Sequence, residues 1–106
     1  MFTLFQKNDV NSIHISEIDN ILEDIHLIDI REAYECVSGC IKGARNIPMG
    51  QLLSHPEKYM DKNMRYHIVC QSGGRSASTV SALQRAGYDV VNVRGGMGGY
   101  NGKNRK

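Results

Sequence analysis

The apolar residues of this chain fall into short, nearly continuous runs rather than a simple alternation with polar residues. Four runs cover residues 13–15, 26–30, 66–70 and 89–93. Runs of this kind are typical of strands that are covered on both faces. A fifth short strand is predicted at 44–47, where Pro48 ends it because proline cannot donate to a neighbouring strand.

Between these strands the apolar residues recur at helical spacing. We predict helices at 16–22, 31–37, around 52–53, at 56–60 and from about 76 to 86. Asp29 followed by Glu32 is similar to a capping pair that opens the second of these helices. Gly87 suits the residue that follows the last helix, since glycine readily adopts the left-handed conformation found there.

The alternation of strands with helices predicts an α/β fold. We expect a three-layer α/β/α sandwich around a mostly parallel sheet of about five strands, with residues 1–106 forming one domain. In sheets of this type, ligands bind beyond the carboxyl ends of the strands. Asp29, Cys70 and Val93 all lead to that edge, so we expect a functional site there.

One segment at this edge has the pattern of an activated thiol. Cys70 ends a strand and precedes six residues that form a loop and open a helix: Gln71, Ser72, Gly73, Gly74, Arg75 and Ser76. Because the two glycines carry no obstructing Cβ atom, the six backbone N–H groups are expected to turn toward the sulfur, where the helix dipole adds positive charge. Such surroundings lower a cysteine pKa to roughly 3.5–7.5. Cys70 is therefore predicted to be a nucleophile, the alternative being an inert buried thiol.

Composition narrows the class of protein. The 106 residues are 41% hydrophobic and 23% charged, as in ordinary globular proteins. No apolar run approaches the ~20 residues of a membrane span, and residues 1–7 lack the basic-then-apolar order of a signal peptide. We therefore expect a cytoplasmic protein that binds no membrane. A net charge of +2 is too low for nucleic-acid binding but suits small anions, and residues 101–106 are expected to form a frayed basic tail.

The three cysteines are Cys36, Cys40 and Cys70. An odd number without a secretion signal argues against a disulfide framework and predicts reduced thiols. The spacing from Cys36 to Cys40 is one residue longer than that of common redox and zinc motifs, and no second pair completes a metal site. We expect no metal.

Four segments together resemble the single-domain rhodanese family of sulfurtransferases. Residues 27–32 are similar to the family's Asp-x-Arg-Glu segment, and residues 38–48 to its Gly-His-Ile-x-Gly-Ala-x-Asn-Ile-Pro segment. Residues 70–76 resemble the active-site loop of the family, and residues 93–97 its closing Gly-Gly segment. The resemblance runs nearly end to end and implies the rhodanese-like fold.

The resemblance also implies a reaction. Cys70 would take the outer sulfur of a small anionic donor, thiosulfate or a persulfide, and pass it from Cys70-S-SH to a thiol or cyanide acceptor or to a sulfur-relay protein, without a cofactor. Arg75 would hold the anionic donor, unless it forms a structural salt bridge. Arg31 would supply a second positive group at the mouth of the site. Asp29 would either orient the loop or cap a helix.

The chain departs from the family pattern at two cysteines. Cys40 stands where histidine is usual, and Cys36 where a large apolar residue is common. Both are expected to be structural thiols. The competing hypothesis is that one of them accepts sulfur from Cys70 or forms a disulfide with it.

Two other functions stay open. Cysteine-dependent phosphatases and arsenate reductases also use a cysteine in a backbone cradle closed by arginine, but the Cys-x5-Arg loop of such phosphatases is one residue longer than the segment from Cys70 to Arg75. A non-catalytic rhodanese-like module, used for binding or as a sulfur carrier, is the second alternative. The presence of Cys70 favours chemistry over binding alone.

Overall fold

A computed structural model describes residues 11–106; the segment 1–7, which lacks the pattern of a signal peptide, lies outside the described residues. Its sheet contains five strands: β1 (Ser12–His14), β2 (His26–Asp29), β3 (Arg45–Asn46), β4 (Arg65–Val69) and β5 (Asp89–Arg94). The strands lie in the order β1-β5-β4-β2-β3, and every neighbouring pair is parallel. The predicted parallel sheet of an α/β fold is confirmed.

Four α-helices connect the strands within residues 11–106: α1 (Ile18–Ile21), α2 (Ala33–Cys36), α3 (Met49–Ser54) and α4 (Gly74–Arg85). Single turns of 3-10 helix lie at Ile15–Glu17, Leu22–Asp24, Pro56–Lys58 and Met97–Gly99. Among the described residues, no helix has the length and apolar character needed to cross a membrane.

Within the part of the chain that the structure describes, two apolar clusters form the core. One joins α3 and α4 to the sheet and includes Ile28, Leu52, Ile68, Val80, Leu83 and Val90. The other joins α1 to the sheet and includes Ile15, Ile18, Leu27, Val69, Val93 and Met97. Because neighbouring residues of a strand point to opposite faces, Ile68 and Val69 fall in different clusters. The sheet is therefore covered on both faces, as the continuous apolar runs predicted.

The carboxyl ends of β2 and β4 lie side by side. Asp29 is paired with Val69, and the Ile30 N–H donates to the Val69 carbonyl at 2.9 Å. β4 is the central strand of the sheet, with β2 on one side and β5 on the other. The loops after these three strands therefore meet around Cys70, where the sequence predicts the site.

The start of α2 differs from the prediction. Its N-cap is Glu32, which forms a reciprocal capping box with Glu35. Asp29 takes no part in this cap, because its buried carboxylate accepts hydrogen bonds from Arg31. Because the Asp29 carboxylate is removed from water, its charge needs the Arg31 guanidinium as a partner, whereas the solvated start of the helix is capped by Glu32. The predicted Asp29–Glu32 capping pair is therefore wrong.

Helix α4 begins at Gly74, slightly before the predicted start near Ser76. Its N-cap is Gly73, whose φ of +104° lies in the left-handed region that favours glycine. The helix is followed by Gly87 at φ +97°, as predicted. Its buried residues are Ser76, Thr79, Val80 and Leu83.

The C-terminal segment differs from the frayed tail expected over 101–106. Residues 104–106 lie antiparallel to residues 40–42, joined by main-chain hydrogen bonds of 2.7 and 2.9 Å and by a bridge between Ile41 and Arg105. The basic residues of this segment were the reason for predicting a solvated tail. The main-chain groups of 40–42 lie outside the sheet, however, and take hydrogen-bond partners from this segment.

Candidate active site

Cys70 directly follows β4, and its side chain is fully buried. Within its loop, which the structure describes in full, the Gly73 N–H donates to Sγ at 3.0 Å and the Ser76 N–H at 3.3 Å. The Ser76 hydroxyl lies 3.4 Å from the same sulfur. Two of the six expected amides thus bond directly to Sγ, and a side-chain hydroxyl that the sequence analysis did not consider joins them.

The Ser76 hydroxyl lies within hydrogen-bond distance of both the Gly73 carbonyl and the Cys70 sulfur, and it has one proton to donate. Its oxygen lies 3.1 Å from the Gly73 carbonyl, to which it donates, while the Cys70 S–H can donate to that oxygen. When Cys70 loses its proton, the hydroxyl can turn and donate to the sulfur instead. Ser76 is therefore suited to both protonation states of the thiol.

The surroundings of Cys70 act on its pKa in opposite directions. Burial raises the pKa of Cys70, but hydrogen bonds from the Ser76 hydroxyl and amide and from the Gly73 amide, with a smaller contribution from the Ser72 amide, outweigh burial and leave the pKa lowered. The twelve-residue helix α4 directs the positive end of its dipole to the same loop. A lowered pKa increases the thiolate fraction at neutral pH.

Arg75 is held by Glu35 of α2, a partner that the sequence analysis missed. Its Nη1 and Nη2 atoms each lie 2.8 Å from one oxygen of the Glu35 carboxylate. The hydrogen bonds from Arg75 lower the pKa of Glu35 to about 2. Of the two roles considered for Arg75, the structure contains the salt bridge, and this bridge fastens the start of α4 to α2.

Arg31 lies behind the loop rather than at its mouth. The Arg31 and Asp29 side chains are 3% and 1% exposed, and Nη2 lies 2.7 Å from Oδ2. Arg31 Nη1 donates to the Gln71 Oε1 atom at 3.1 Å, and Nη2 donates to the Gly39 carbonyl at 2.9 Å. Arg31 is thus a buried support of the loop and not the cation expected at its mouth. Asp29 acts on the loop by holding the Arg31 side chain, which donates to Gln71.

Cys36 and Cys40 are half-buried free thiols. Cys36 Sγ lies 3.8 Å from the Asp29 carboxylate. Burial, together with the negative charge of Asp29, raises the pKa of Cys36. This thiol is therefore less readily ionised than an ordinary cysteine, in contrast to Cys70.

A second loop lies against the Cys70 loop. The Met97 N–H donates to the Cys70 carbonyl, and the Gly98 N–H donates to the Gln71 carbonyl, each at 2.8 Å. The outer side of the Cys70 loop, at Gln71, Ser72 and Gly74, is exposed to solvent. Within residues 11–106, no group of three or more His, Cys, Asp or Glu side chains is arranged to hold a metal ion.

Comparison with known proteins identifies several relatives. YtwF of Bacillus subtilis (strain 168), which carries a provisional sulfurtransferase name, is 39% identical over 85 residues, 78% of this chain and 80% of that protein. A protein of Allochromatium vinosum named Sulfurtransferase is 34% identical over 91 residues, 85% of this chain and 84% of that protein. These names support sulfur transfer as the general activity.

The fold and the family agree with these relatives. The crystal structure of a rhodanese-like domain protein from Staphylococcus aureus matches with a TM-score of 0.81 and 34% identity, over 91% of this chain and 96% of that chain. The family model of the rhodanese-like domain matches residues 14–103. With its parallel sheet and buried cysteine loop, this chain belongs to the rhodanese-like domain family.

Proposed function

We propose that this protein moves sulfane sulfur from thiosulfate or a persulfide to a nucleophilic acceptor through a persulfide on Cys70. The observation that carries the proposal is the buried Cys70 sulfur, which accepts two main-chain hydrogen bonds and lies beside a hydroxyl that together lower its pKa. The relative named Sulfurtransferase supports the same general reaction.

The chemistry has two balanced steps. In the first, the Cys70 thiolate attacks the outer sulfur of thiosulfate, a new S–S bond forms, and sulfite leaves with the electron pair of the broken S–S bond. In the second, an acceptor such as cyanide or a thiolate attacks the outer sulfur of Cys70-S-S⁻. The electron pair of that bond returns to Cys70, which regains its negative charge, and the acceptor leaves carrying the sulfur.

The loop supports every stage because the negative charge stays near one place. The charge lies on Cys70 Sγ at rest and on the outer sulfur after the first step. The amide donors of Gly73 and Ser76 are fixed before reaction, so no reorganisation is needed as charge develops. A compact anionic sulfur suits this cradle.

The geometry gives less support to a phosphatase. A phosphate bound in such a loop would need the positive charge of Arg75, but the Glu35 carboxylate already pairs with this guanidinium through both terminal nitrogens. A purely binding module has no evident use for a thiol with a lowered pKa. A sulfur carrier that accepts from a donor protein uses the same Cys70 chemistry and differs only in its donor.

Mass spectrometry after incubation with thiosulfate tests this function. We expect an adduct one sulfur heavier on the Cys70 peptide, released as thiocyanate when cyanide is added. Cys70→Ser should abolish both signals, whereas Cys36→Ser should retain them because the Cys36 pKa is raised. Adduct and thiocyanate that persist in Cys70→Ser, or hydrolysis of an aryl phosphate that is lost in this variant, would contradict the proposal.

If thiosulfate leaves no adduct on Cys70 but a persulfide on a donor protein does leave one, the carrier form of the proposal is favoured.

Mapping of disulfides after oxidation tests the role of the other cysteines. A bond from Cys70 to Cys36 or to Cys40 would support a relay, and the absence of both bonds would remove that hypothesis.

A further inference from the structure

The loop after β5 binds the back of the Cys70 loop through main-chain groups. The Cys70 carbonyl accepts from the Met97 N–H and the Gln71 carbonyl accepts from the Gly98 N–H, each at 2.8 Å. In a trans peptide unit the carbonyl of one residue and the N–H of the next point in opposite directions. Carbonyls directed at residues 97 and 98 therefore turn the amides of Gln71 and Ser72 away from that loop.

The close approach of the two loops depends on glycine. A Cβ added to Gly96 would lie 2.6 Å from the Cys70 carbonyl oxygen and closer still to the Gln71 carbonyl oxygen. A Cβ on Gly98 would lie 3.1 Å from the same Gln71 oxygen. These oxygens belong to the main chain and cannot rotate away as a flexible side chain would.

The second loop is also supported from its far side. A Cβ on Gly95 would lie 3.0 Å from His14 Nε2 and 3.0 Å from Ile15 Cγ2, at the end of β1. Met97 itself is buried, with 3% of its surface exposed. The segment is therefore packed between β1 and the Cys70 loop, with little room to move away.

We infer that residues 95–99 form a positioning segment that fixes the Cys70 and Gln71 peptide units and so holds in place the loop whose Gly73 and Ser76 amides donate to the sulfur. The segment touches neither the sulfur nor a substrate and acts only through the main chain of the loop. The role rests on the proposed use of Cys70 as a nucleophile. Its test measures thiol ionisation, which needs no sulfur transfer.

The test is the pH profile of Cys70 alkylation by iodoacetamide, followed on the Cys70 peptide by mass spectrometry so that the other thiols do not contribute. In Gly96→Ala the added Cβ should push the loops apart and move the profile to higher pH. Below the midpoint, each pH unit of this shift slows alkylation by roughly tenfold. Gly43→Ala is the matched control, because Gly43 has a similar left-handed φ of +84° but open space around its Cβ position.

A milder pair covers the case in which Gly96→Ala does not fold. Gly98→Ala adds a Cβ 3.1 Å from Gln71, whereas Gly99→Ala adds one 3.4 Å from the Ile15 side chain, an ordinary contact. We expect Gly98→Ala to shift the profile upward and Gly99→Ala to leave it in place. An unchanged profile in folded Gly98→Ala, or an equal shift in Gly99→Ala, would overturn the positioning role. Failure of the wild type to transfer sulfur would instead overturn the proposed function.

Discussion

The charge on the Cys70 sulfur depends on groups that act in opposite directions. Burial disfavours the thiolate, and the hydrogen bonds from Ser76 and Gly73, with a smaller contribution from Ser72, favour it by more. The balance is local, since all of the donors belong to one short loop. Single substitutions in this loop should therefore change reactivity more than they change the fold.

Removal of the Ser76 hydroxyl isolates one of these donors. Hydrogen bonds to charged groups contribute about 1.5–3 kcal/mol, so Ser76→Ala should raise the pKa of Cys70 and slow its alkylation below the midpoint by roughly tenfold or more. Ser76→Thr, which keeps the hydroxyl, should stay close to the wild type. Equal alkylation rates in Ser76→Ala and Ser76→Thr would show that the hydroxyl does not stabilise the thiolate.

The buried ion pair of Asp29 and Arg31 leads to a prediction about the free energy of unfolding. Asp29→Asn leaves the Arg31 charge buried without its counter-ion, so it should lower the free energy of unfolding by about 3–5 kcal/mol. The control is Asp89→Asn at the pair Arg65–Asp89, whose side chains are about half exposed, where the loss should be about 1 kcal/mol or less. Urea unfolding at neutral pH measures both, and similar losses would mean that burial does not distinguish the pairs.

At the scale of elements, α2 and α4 are held together by one salt bridge beside the site. Arg75 at the start of α4 and Glu35 in α2 form two hydrogen bonds of 2.8 Å. Their side chains are 39% and 20% exposed, so water screens the pair in part. The bridge should orient the two helices while contributing modestly to stability.

The pH dependence of this bridge follows from the lowered pKa of Glu35. The folded value of about 2 lies below the ordinary value of about 4.3. The stabilisation is therefore complete above the ordinary value and is lost as the pH falls toward 2. Glu35→Gln should reduce the free energy of unfolding by roughly 0.5–1 kcal/mol at pH 7, and this difference should shrink between about pH 4 and pH 2. A difference that does not change with pH would contradict the ion pair.

At the scale of the whole molecule, the sequence predicts the sheet better than it predicts the contacts between distant segments. The strand order was not predicted, whereas the parallel sheet follows from local apolar runs that alternate with helices. The site loop was predicted for the same reason, since Cys70 and its glycines are adjacent in the chain. The partners Glu35 and Arg75 are 40 residues apart, and no local pattern joins them.

The C-terminal segment gives a test at this scale, because its packing depends on residues far apart in the chain. The Tyr100 hydroxyl donates to Asp19 Oδ1 at 2.6 Å and accepts from the Asn104 N–H at 2.8 Å. Tyr100→Phe should speed hydrogen exchange at Asn104 and lower the free energy of unfolding by about 1 kcal/mol. Tyr34→Phe is the control, since Tyr34 is 77% exposed. Rapid hydrogen exchange at Asn104 in the wild type would instead support the frayed tail predicted for residues 101–106.

The most direct test of the central claim is a pH titration of the Cys70 thiolate by ultraviolet absorbance, in a variant carrying Cys36→Ser and Cys40→Ser. We predict a midpoint below the value of about 8.5 for free cysteine, because the donors of Gly73 and Ser76 outweigh burial. A midpoint at or above that of free cysteine would contradict the account.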